Sequence, residues 1–494
     1  MSAAQKGLLS LHVDSVPSRR VTVSFRDPGG RVVIADQRAF RVVNPEYDET
    51  LTRLFETKLY AQLVSGEQLI GTRVVDDQHL KQQLIQAVLP EHPDSLVFEH
   101  DFIAFPSYPY EWPPEMLYAA GELTLNLMEK LLSASFGLKD ASPYNVLFRG
   151  SKPIFIDLLS LESRESRDST WLAYAQFTRN FIRPLLADKY FGVGLDQTFR
   201  VHRDGLQPED VFKLSSSWQK LHPSFLTSVS LPTLLSRIDP SRYQKIYKPR
   251  LSRSHEQAAF VLKRQLQGLR RKLKAVKPLE TRKSTWCGYE DQTQDREQYL
   301  PVKSAFVERA LTEQTIKTVL DVGCNFGHFS LLAAKAGCSV VAIDQDPVVV
   351  GGLWRRGNAA NLNVLPLVIN IARPTPGLGW RNRETIAFLD RALGTFQCVF
   401  MLAVIHHLLV TERIPLDEII RLASELTTDM LIIEFISPQD PMFQLITRGN
   451  ANLYQYLTRE LFESAIAKYF VIERSEQVEN SGRWLYQLRR TEVV

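Results

Sequence analysis

The sequence predicts an α/β C-terminal half built on a parallel sheet, joined to an α+β N-terminal half. Three observations point to the first part. Thr318–Pro347 holds two apolar strands, a Gly-bearing turn, a helix and a strand-end acid in one compact stretch. Strand-like and helical runs then alternate as far as Glu434. The last two strand-like runs flank Asn480-Ser481-Gly482 with no room for a helix between them, and so read as a hairpin.

Each element follows from its residues. Thr318–Val322 is short, apolar and rich in β-branched residues, and it stops at Gly323. Gly327 follows, then Phe329–Ala336 with Ala and Leu on its buried side. Ser339–Ile343 is a second apolar run, ending at Asp344. This is a βαβ unit whose first strand-to-helix turn lacks Cβ atoms, so the backbone can approach a ligand. Val364–Ile369, Cys398–Leu402 and Met430–Ile433 supply the third, fourth and fifth strands. They end at Asn370, at Ala403-Val404-Ile405-His406-His407 and at Glu434. Helical patterns at Pro347–Ala360 and Pro415–Leu426 lie between them, which implies a parallel sheet covered on both faces. Phe470–Ser475 and Arg483–Arg489 then bring in an antiparallel strand.

The string DVGCNFG at Asp321–Gly327, followed by Asp344, resembles the first motif and second-strand acid of class I S-adenosylmethionine (SAM) methyltransferases. The family's usual pattern has Gly where this chain has Asn325, and Asn tolerates a left-handed backbone better than most residues. A dinucleotide fingerprint wants G-x-G-x-x-G, which Gly323–Gly327 does not supply. Methyltransferases of this class also end in such a hairpin. The resemblance implies a Rossmann-like seven-stranded sheet with an antiparallel terminal hairpin, and SAM as cofactor. It implies that Asp321, Gly323, Asn325 and Gly327 shape the methionine and ribose end. Asp344 would then hold the ribose hydroxyls, and Asn370 would read the adenine amino group.

Ligands of such sheets bind at the C-terminal edge of the strands. Methyl transfer needs alignment and exclusion of water more than acid–base machinery, but a hydroxyl acceptor gains from a base. His406 and His407 follow the fourth strand and are the candidate catalytic residues. The alternative is two loop histidines bonded to backbone. The loop Pro374–Trp380 either covers the acceptor or is an exposed connection with a packed Trp. No Asn-Pro-Pro-Tyr-type string follows the fourth strand, which disfavours a base or amide nitrogen acceptor, and the two histidines tilt the reading to oxygen.

In the N-terminal half the informative segment is Leu138–Glu162. Asp140 and Asn145 precede a predicted strand Val146–Phe148, a turn, a strand Ile154–Ile156, and Asp157. This resembles the catalytic loop and metal-binding hairpin of protein-kinase-like folds. The resemblance implies that Asp140 orients an acceptor hydroxyl while Asn145 and Asp157 hold Mg²⁺, with ATP as the nucleotide, if that site is active. The departures are specific. Val21–Phe25 and Arg31–Ile34 form a hairpin around one Gly-Gly turn, not a Gly-rich loop. The third strand, Ala39–Val43, carries Arg41 in place of Lys, with Glu56 as its expected partner, and Asp157 is followed by Leu-Leu. The domain therefore resembles a degenerate kinase. Helical patterns are expected at Pro114–Ser135 and Trp171–Leu186.

SYPYEW at Ser107–Trp112, LKDASPYN, IDLLSLE, DVGCNFGHFS and LAVIHHL together resemble a bacterial family related to a rhizobial nodulation protein. That likeness spans nearly the whole chain and implies SAM chemistry without naming an acceptor.

From Arg242 to Lys283 there are fourteen Lys or Arg against two Glu, and Leu262, Leu266, Leu269 and Leu273 form one stripe. The stripe predicts an interdomain helix with packed leucines and solvated charges. A surface for an acidic partner, anionic lipid or nucleic acid is the sharper alternative, and few interleaved aromatics disfavour single-stranded RNA.

Composition bounds the remainder. The 494 residues predict two or three domains, and 44% apolar content supports real cores. A net charge of +4 is too small to imply a nucleic-acid binder. Four scattered cysteines suggest a reducing cytoplasm, no signal peptide is read at the N-terminus, and no apolar run is long enough to span a membrane. The expected domains are a kinase-like 1–250, a basic helical linker 251–300 and a methyltransferase 301–494. The expected function is SAM-dependent methylation of a small molecule or saccharide, with O-methylation favoured. The alternatives are a bifunctional kinase-like methyltransferase and a non-catalytic interaction protein that senses SAM.

Overall fold

The computed structural model of the protein describes residues 22–24, 26–238, 250–280, 295–478 and 481–491. Val21 and Phe25 of the expected first strand, Cys287, the linker stretch 281–294 and Asn480 of the terminal turn lie outside these residues.

The N-terminal half opens with strands β1 (Thr22–Val23), β2 (Gly30–Ala35), β3 (Arg38–Val43), β4 (Thr72–Val74) and β5 (Leu96–His100). They form an antiparallel sheet in the order β1-β2-β3-β5-β4. Helices α1 (Asp48–Phe55), α2 (Lys58–Ser65) and α3 (Gln78–Val88) interrupt it. A helical half follows, built on α4 (Pro114–Leu132). It carries two short ladders: β6 (Phe136–Leu138) with β9 (Leu161–Ser163), and β7 (Val146–Arg149) with β8 (Lys152–Phe155). The helix expected at Trp171–Leu186 runs through Tyr174–Phe177, Thr178–Ile182 and Arg183–Phe191, its middle segment a wide π turn.

The basic helix α5 (His255–Ala275) buries Leu262, Leu266, Leu269 and Leu273, as its stripe predicted. Its partner is the N-terminal half. Gly121 of α4 has no Cβ, and one added there would come within 3.3 Å of Leu273, so the two helices pack closely at that point. Arg270 pairs with Glu129 at the surface.

The C-terminal half begins with α6 (Asp295–Glu313) and the predicted βαβ unit: β10 (Thr318–Val322), α7 (His328–Lys335) and β11 (Ser339–Asp344). Then come α8 (Pro347–Ala359), β12 (Val364–Val368), α9 (Phe388–Ala392) and β13 (Phe396–Met401). The chain finishes with α10 (Ile405–Val410), α11 (Leu416–Leu426), β14 (Thr427–Ile436), α12 (Pro441–Thr447), α13 (Arg459–Ile466), β15 (Phe470–Gln477) and β16 (Arg483–Arg490). The seven strands are ordered β12-β11-β10-β13-β14-β16-β15, with β16 alone running opposite to the other six. Residues of α6 and α7 cover one face. The core on the other face, with Leu365, Val399 and Leu431, is continuous with that of the N-terminal half.

Segment Ser107–Trp112 forms much of that junction. The Tyr108 hydroxyl accepts from the Ile386 amide at 3.0 Å, and Glu111 receives Arg391 and the Thr375 hydroxyl. Farther along, Trp354 of α8 donates to the Ser151 carbonyl in the β7–β8 turn at 3.0 Å, and Arg355 pairs with Glu115. The loop Pro374–Trp380 does not pack its Trp as expected. Thr375 anchors it to the N-terminal half, and Trp380 is 64% exposed.

Candidate active site

The turn after β10 brings the backbone round under steric constraint. Gly323, Asn325 and Gly327 all have positive φ, at 70°, 49° and 74°. A Cβ on Gly323 would lie 2.5 Å from Val404, and one on Gly327 would lie 2.3 Å from Leu353, so a side chain at either position would strain the backbone and displace its neighbour. Asn325 is the one non-glycine of the three and keeps the left-handed turn that the motif requires.

Asp344 closes β11 and faces the bend. Its Oδ2 accepts from the Asn325 amide at 3.0 Å and its Oδ1 from the Asp346 amide at 3.0 Å. Burial raises its pKa, and the backbone donors partly oppose that rise. Asp321 lies deeper and is 3% exposed, and the Ser330 hydroxyl donates to it. Burial pushes its carboxyl up to about 6, against the lowering effect of that hydrogen bond. Asn370 donates to Gln345 at 2.9 Å and accepts from the Ala372 amide at 2.8 Å, an arrangement local to the end of β12.

These residues line one cavity of about 410 Å³, with Asp321, Gly323, Asn325, Gly327, Asp344 and Asn370 all on its wall. The volume falls within the range of small-molecule and cofactor sites. The cradle of three left-handed residues and the strand-end carboxylate suit the polar ends of a nucleoside cofactor such as SAM.

The two histidines separate. His407 lines the cavity. His406 does not. It is 2% exposed, lies 4.2 Å from the His407 ring by centroid, packs against Phe443, and has no hydrogen-bond partner at either nitrogen. Burial lowers both imidazoles, His406 well below the usual range. Two consecutive residues at the start of α10 point about 100° apart. One therefore faces the ligand space and the other the core.

Several lining residues carried no motif. Ala403 takes a positive φ of 55° just after β13, a strained turn of the kind that gathers at ligand sites. Tyr299 and Lys303 of α6, Met442 of α12 and Arg483 of β16 also reach the cavity. One sequence signal was available. Glu434, read as the end of the fifth strand, lies inside β14 among apolar residues and is fully buried, which demands a partner; Lys303 supplies it at 2.7 Å.

The N-terminal candidates converge differently. Asn145 donates to the Ser160 hydroxyl at 3.0 Å, and that hydroxyl donates to Asp157. Asp140 accepts from Gln176, and burial raises its pKa. The other Asp157 oxygen accepts from Arg41 at 2.9 Å, and Arg41 also pairs with Asp27 at 3.3 Å. Asp27 and Asp157 are thus the partners of Arg41, in place of the expected Glu56. A guanidinium already neutralises Asp157, so this donor set as arranged does not fit Mg²⁺. Among the described residues no group of three or more His, Cys, Asp or Glu could hold a metal, and no helix is long and apolar enough to cross a membrane.

Residues 293–462 match a family described as a methyltransferase domain. The chain is 28% identical over 475 residues to the nodulation protein NoeA of Rhizobium meliloti (strain 1021), covering 96% of each. Among solved structures it is similar to the N-methyltransferase NodS from Bradyrhizobium japonicum WM9, at 14% identity and a TM-score of 0.30, covering 39% of this chain and 97% of that one. It is also similar to the magnesium protoporphyrin IX methyltransferase of Synechocystis PCC 6803 with bound SAM, at 18% identity and a TM-score of 0.28, covering 40% of this chain and 81% of that one.

Proposed function

We propose that this S-adenosylmethionine-dependent methyltransferase methylates an oxygen of a small-molecule or saccharide acceptor, with His407 as the base. The observation that carries the proposal is that His407 shares one cavity with Asp344 and the Gly323–Gly327 cradle. SAM, when bound, supplies a methyl carbon activated by its sulfonium, so that as oxygen bonds to carbon and the C–S bond breaks, only the hydroxyl proton needs a receiver. Burial keeps His407 neutral near pH 7, and a neutral imidazole has one accepting nitrogen for that proton. Asp344 accepts the ribose hydroxyls. Asp321 and the cradle fix the methionine and ribose end. Asn370 and Gln345 present amides to the adenine. His406 supports the His407 ring from the core side.

Incubation of the protein with methyl-labelled SAM and a bacterial lysate tests this reading. Label is expected in a base-stable ether; label in amines would overturn oxygen transfer, and label in carboxyl esters would overturn the hydroxyl acceptor and the role of His407 as its base. The same assay separates an enzyme from a SAM-sensing interaction protein, which would label nothing.

For the N-terminal half we propose a kinase-like domain without phosphotransfer. The β1-β2-β3-β5-β4 sheet over a helical half with the β7–β8 hairpin supports the fold, and the Arg41–Asp157 pair argues against a metal-nucleotide site. Its role is to hold the methyltransferase, through Glu111, Glu115 and Ser151. We place its limit after α5, whose leucines pack on it, with the methyltransferase from about residue 295. Cys324, Cys338 and Cys398, the buried free thiols among the described residues, suit a reducing cytoplasm.

A further inference from the structure

We propose that the end of the cavity built by Tyr299, Lys303, Met442 and Arg483 is the acceptor subsite, and that it takes a neutral, hydroxyl-rich group such as a saccharide ring. This rests on the SAM reading of the same cavity. The sheet order separates the two ends: Asp344 closes β11, while Glu434 and Arg483 lie on β14 and β16, with β10 and β13 between. At about 4.8 Å per strand, β11 and β14 stand roughly 14 Å apart. That span suits a nucleoside at one end and an acceptor at the other. His407, which follows β13, falls between them.

The chemistry of this end is unusual for a buried wall. Lys303 reaches Glu434 at 2.7 Å. Arg483 donates to both oxygens of Asp440, at 2.8 and 3.1 Å, and stands 3.8 Å from Glu434. All four side chains are at most 10% exposed. Ion pairs this far from water seldom stabilise more than apolar packing would, and their cationic members Lys303 and Arg483 line the cavity, which points to a ligand. Two cations and two carboxylates sum to zero. An anionic acceptor would lose its hydration and meet cations whose charge is already balanced, recovering little. A polyol loses less and gains donors from Lys303 and Arg483. The half-buried Tyr299 ring, 5.2 Å from the Arg483 guanidinium, adds an apolar plate for the C–H face of a sugar.

The test uses the full-length protein saturated with S-adenosylhomocysteine. Its six methionines are methyl-labelled, and Met442→Leu assigns the Met442 resonance. Glucose and N-acetylglucosamine, then glucuronate and inorganic phosphate, are titrated to high millimolar concentration. The Met442 methyl is expected to shift saturably with the neutral sugars and not with the anions. The paired variant Lys303→Leu/Glu434→Leu, which leaves no buried charge unmatched, is expected to abolish the shift while S-adenosylhomocysteine affinity stays within about twofold. Preference for glucuronate or phosphate, absence of a saturable shift with either sugar, or a shift that survives in the variant would each overturn the proposal. Failure of S-adenosylhomocysteine to bind the wild-type protein would instead count against the cofactor reading.

Discussion

Glu111 of the N-terminal half and Arg391 of the methyltransferase form an ion pair closed to water, with side-chain exposures of 0% and 3%. The Thr375 hydroxyl donates to the same carboxylate, and the guanidinium lies 5.0 Å from the centroids of Phe105 and Tyr108. The SYPYEW string thus joins the two halves of the chain. Removing one partner from such a pair costs about 3–5 kcal/mol, because it leaves a buried charge unmatched. Glu111→Ala is therefore expected to lower the melting temperature markedly, and Glu111→Ala/Arg391→Met to regain most of it. Equal melting of Glu111→Ala and wild type would show that the pair is not structural.

Asp344→Ala removes the proposed ribose acceptor. A hydrogen bond to a charged group contributes roughly 1.5–3 kcal/mol, so loss of two weakens SAM binding by about 100-fold or more. Calorimetry should find this loss in a variant that still folds. Wild-type affinity in this variant would remove the basis for the assignment.

The histidines should part company. His407→Ala is expected to lower kcat by about 10²–10⁴ with SAM affinity retained. With wild-type protein, kcat/KM should be flat from pH 7 upward and fall only below the ordinary imidazole range, since burial depresses the His407 pKa. His406→Phe breaks no hydrogen bond and should leave stability equal to or above wild type. A larger kinetic defect in His406→Phe than in His407→Ala would reverse the assignment.

Asp321 gives a pH signature. Burial raises its folded pKa to about 6 from an ordinary 3.8, so folding favours the protonated form. That contribution is complete below about pH 4 and is lost as pH rises through 6, roughly 3 kcal/mol in all. Stability of the ligand-free wild type relative to Asp321→Asn should fall across this window in denaturant titrations. A pH-independent difference would mean that Asp321 is not held as described.

Arg41 predicts a negative result. Wild-type protein at millimolar ATP and Mg²⁺ should show no calorimetric binding to the N-terminal domain, because Asp157 is already neutralised. Mg²⁺-dependent binding abolished by Asp157→Ala would establish a second active site.

Legibility followed sequence distance. The βαβ unit, the cradle glycines, Asp344 and the terminal hairpin were readable because a strand's apolar run and a turn's backbone demand are local properties. The expected Thr318–Val322 strand matches β10 residue for residue. The leucine stripe of α5 was readable for the same reason, but its packing partner was not. Which of two adjacent histidines faces the ligand depends on the helical rotation of α10 against the sheet, which no local pattern encodes. Arg41 was expected beside Glu56 by analogy and found Asp157, 116 residues away.

The sequence by itself determined the strand–helix alternation, the glycine bend and the acid that faces it, since these depend on backbone sterics and burial within a few residues. Tertiary structure alone decided the union of Lys303 with Glu434, 131 residues on, and of Glu111 with Arg391, 280 residues on. A buried charge is stable wherever the fold brings its counter-charge, and chain order does not say where that is.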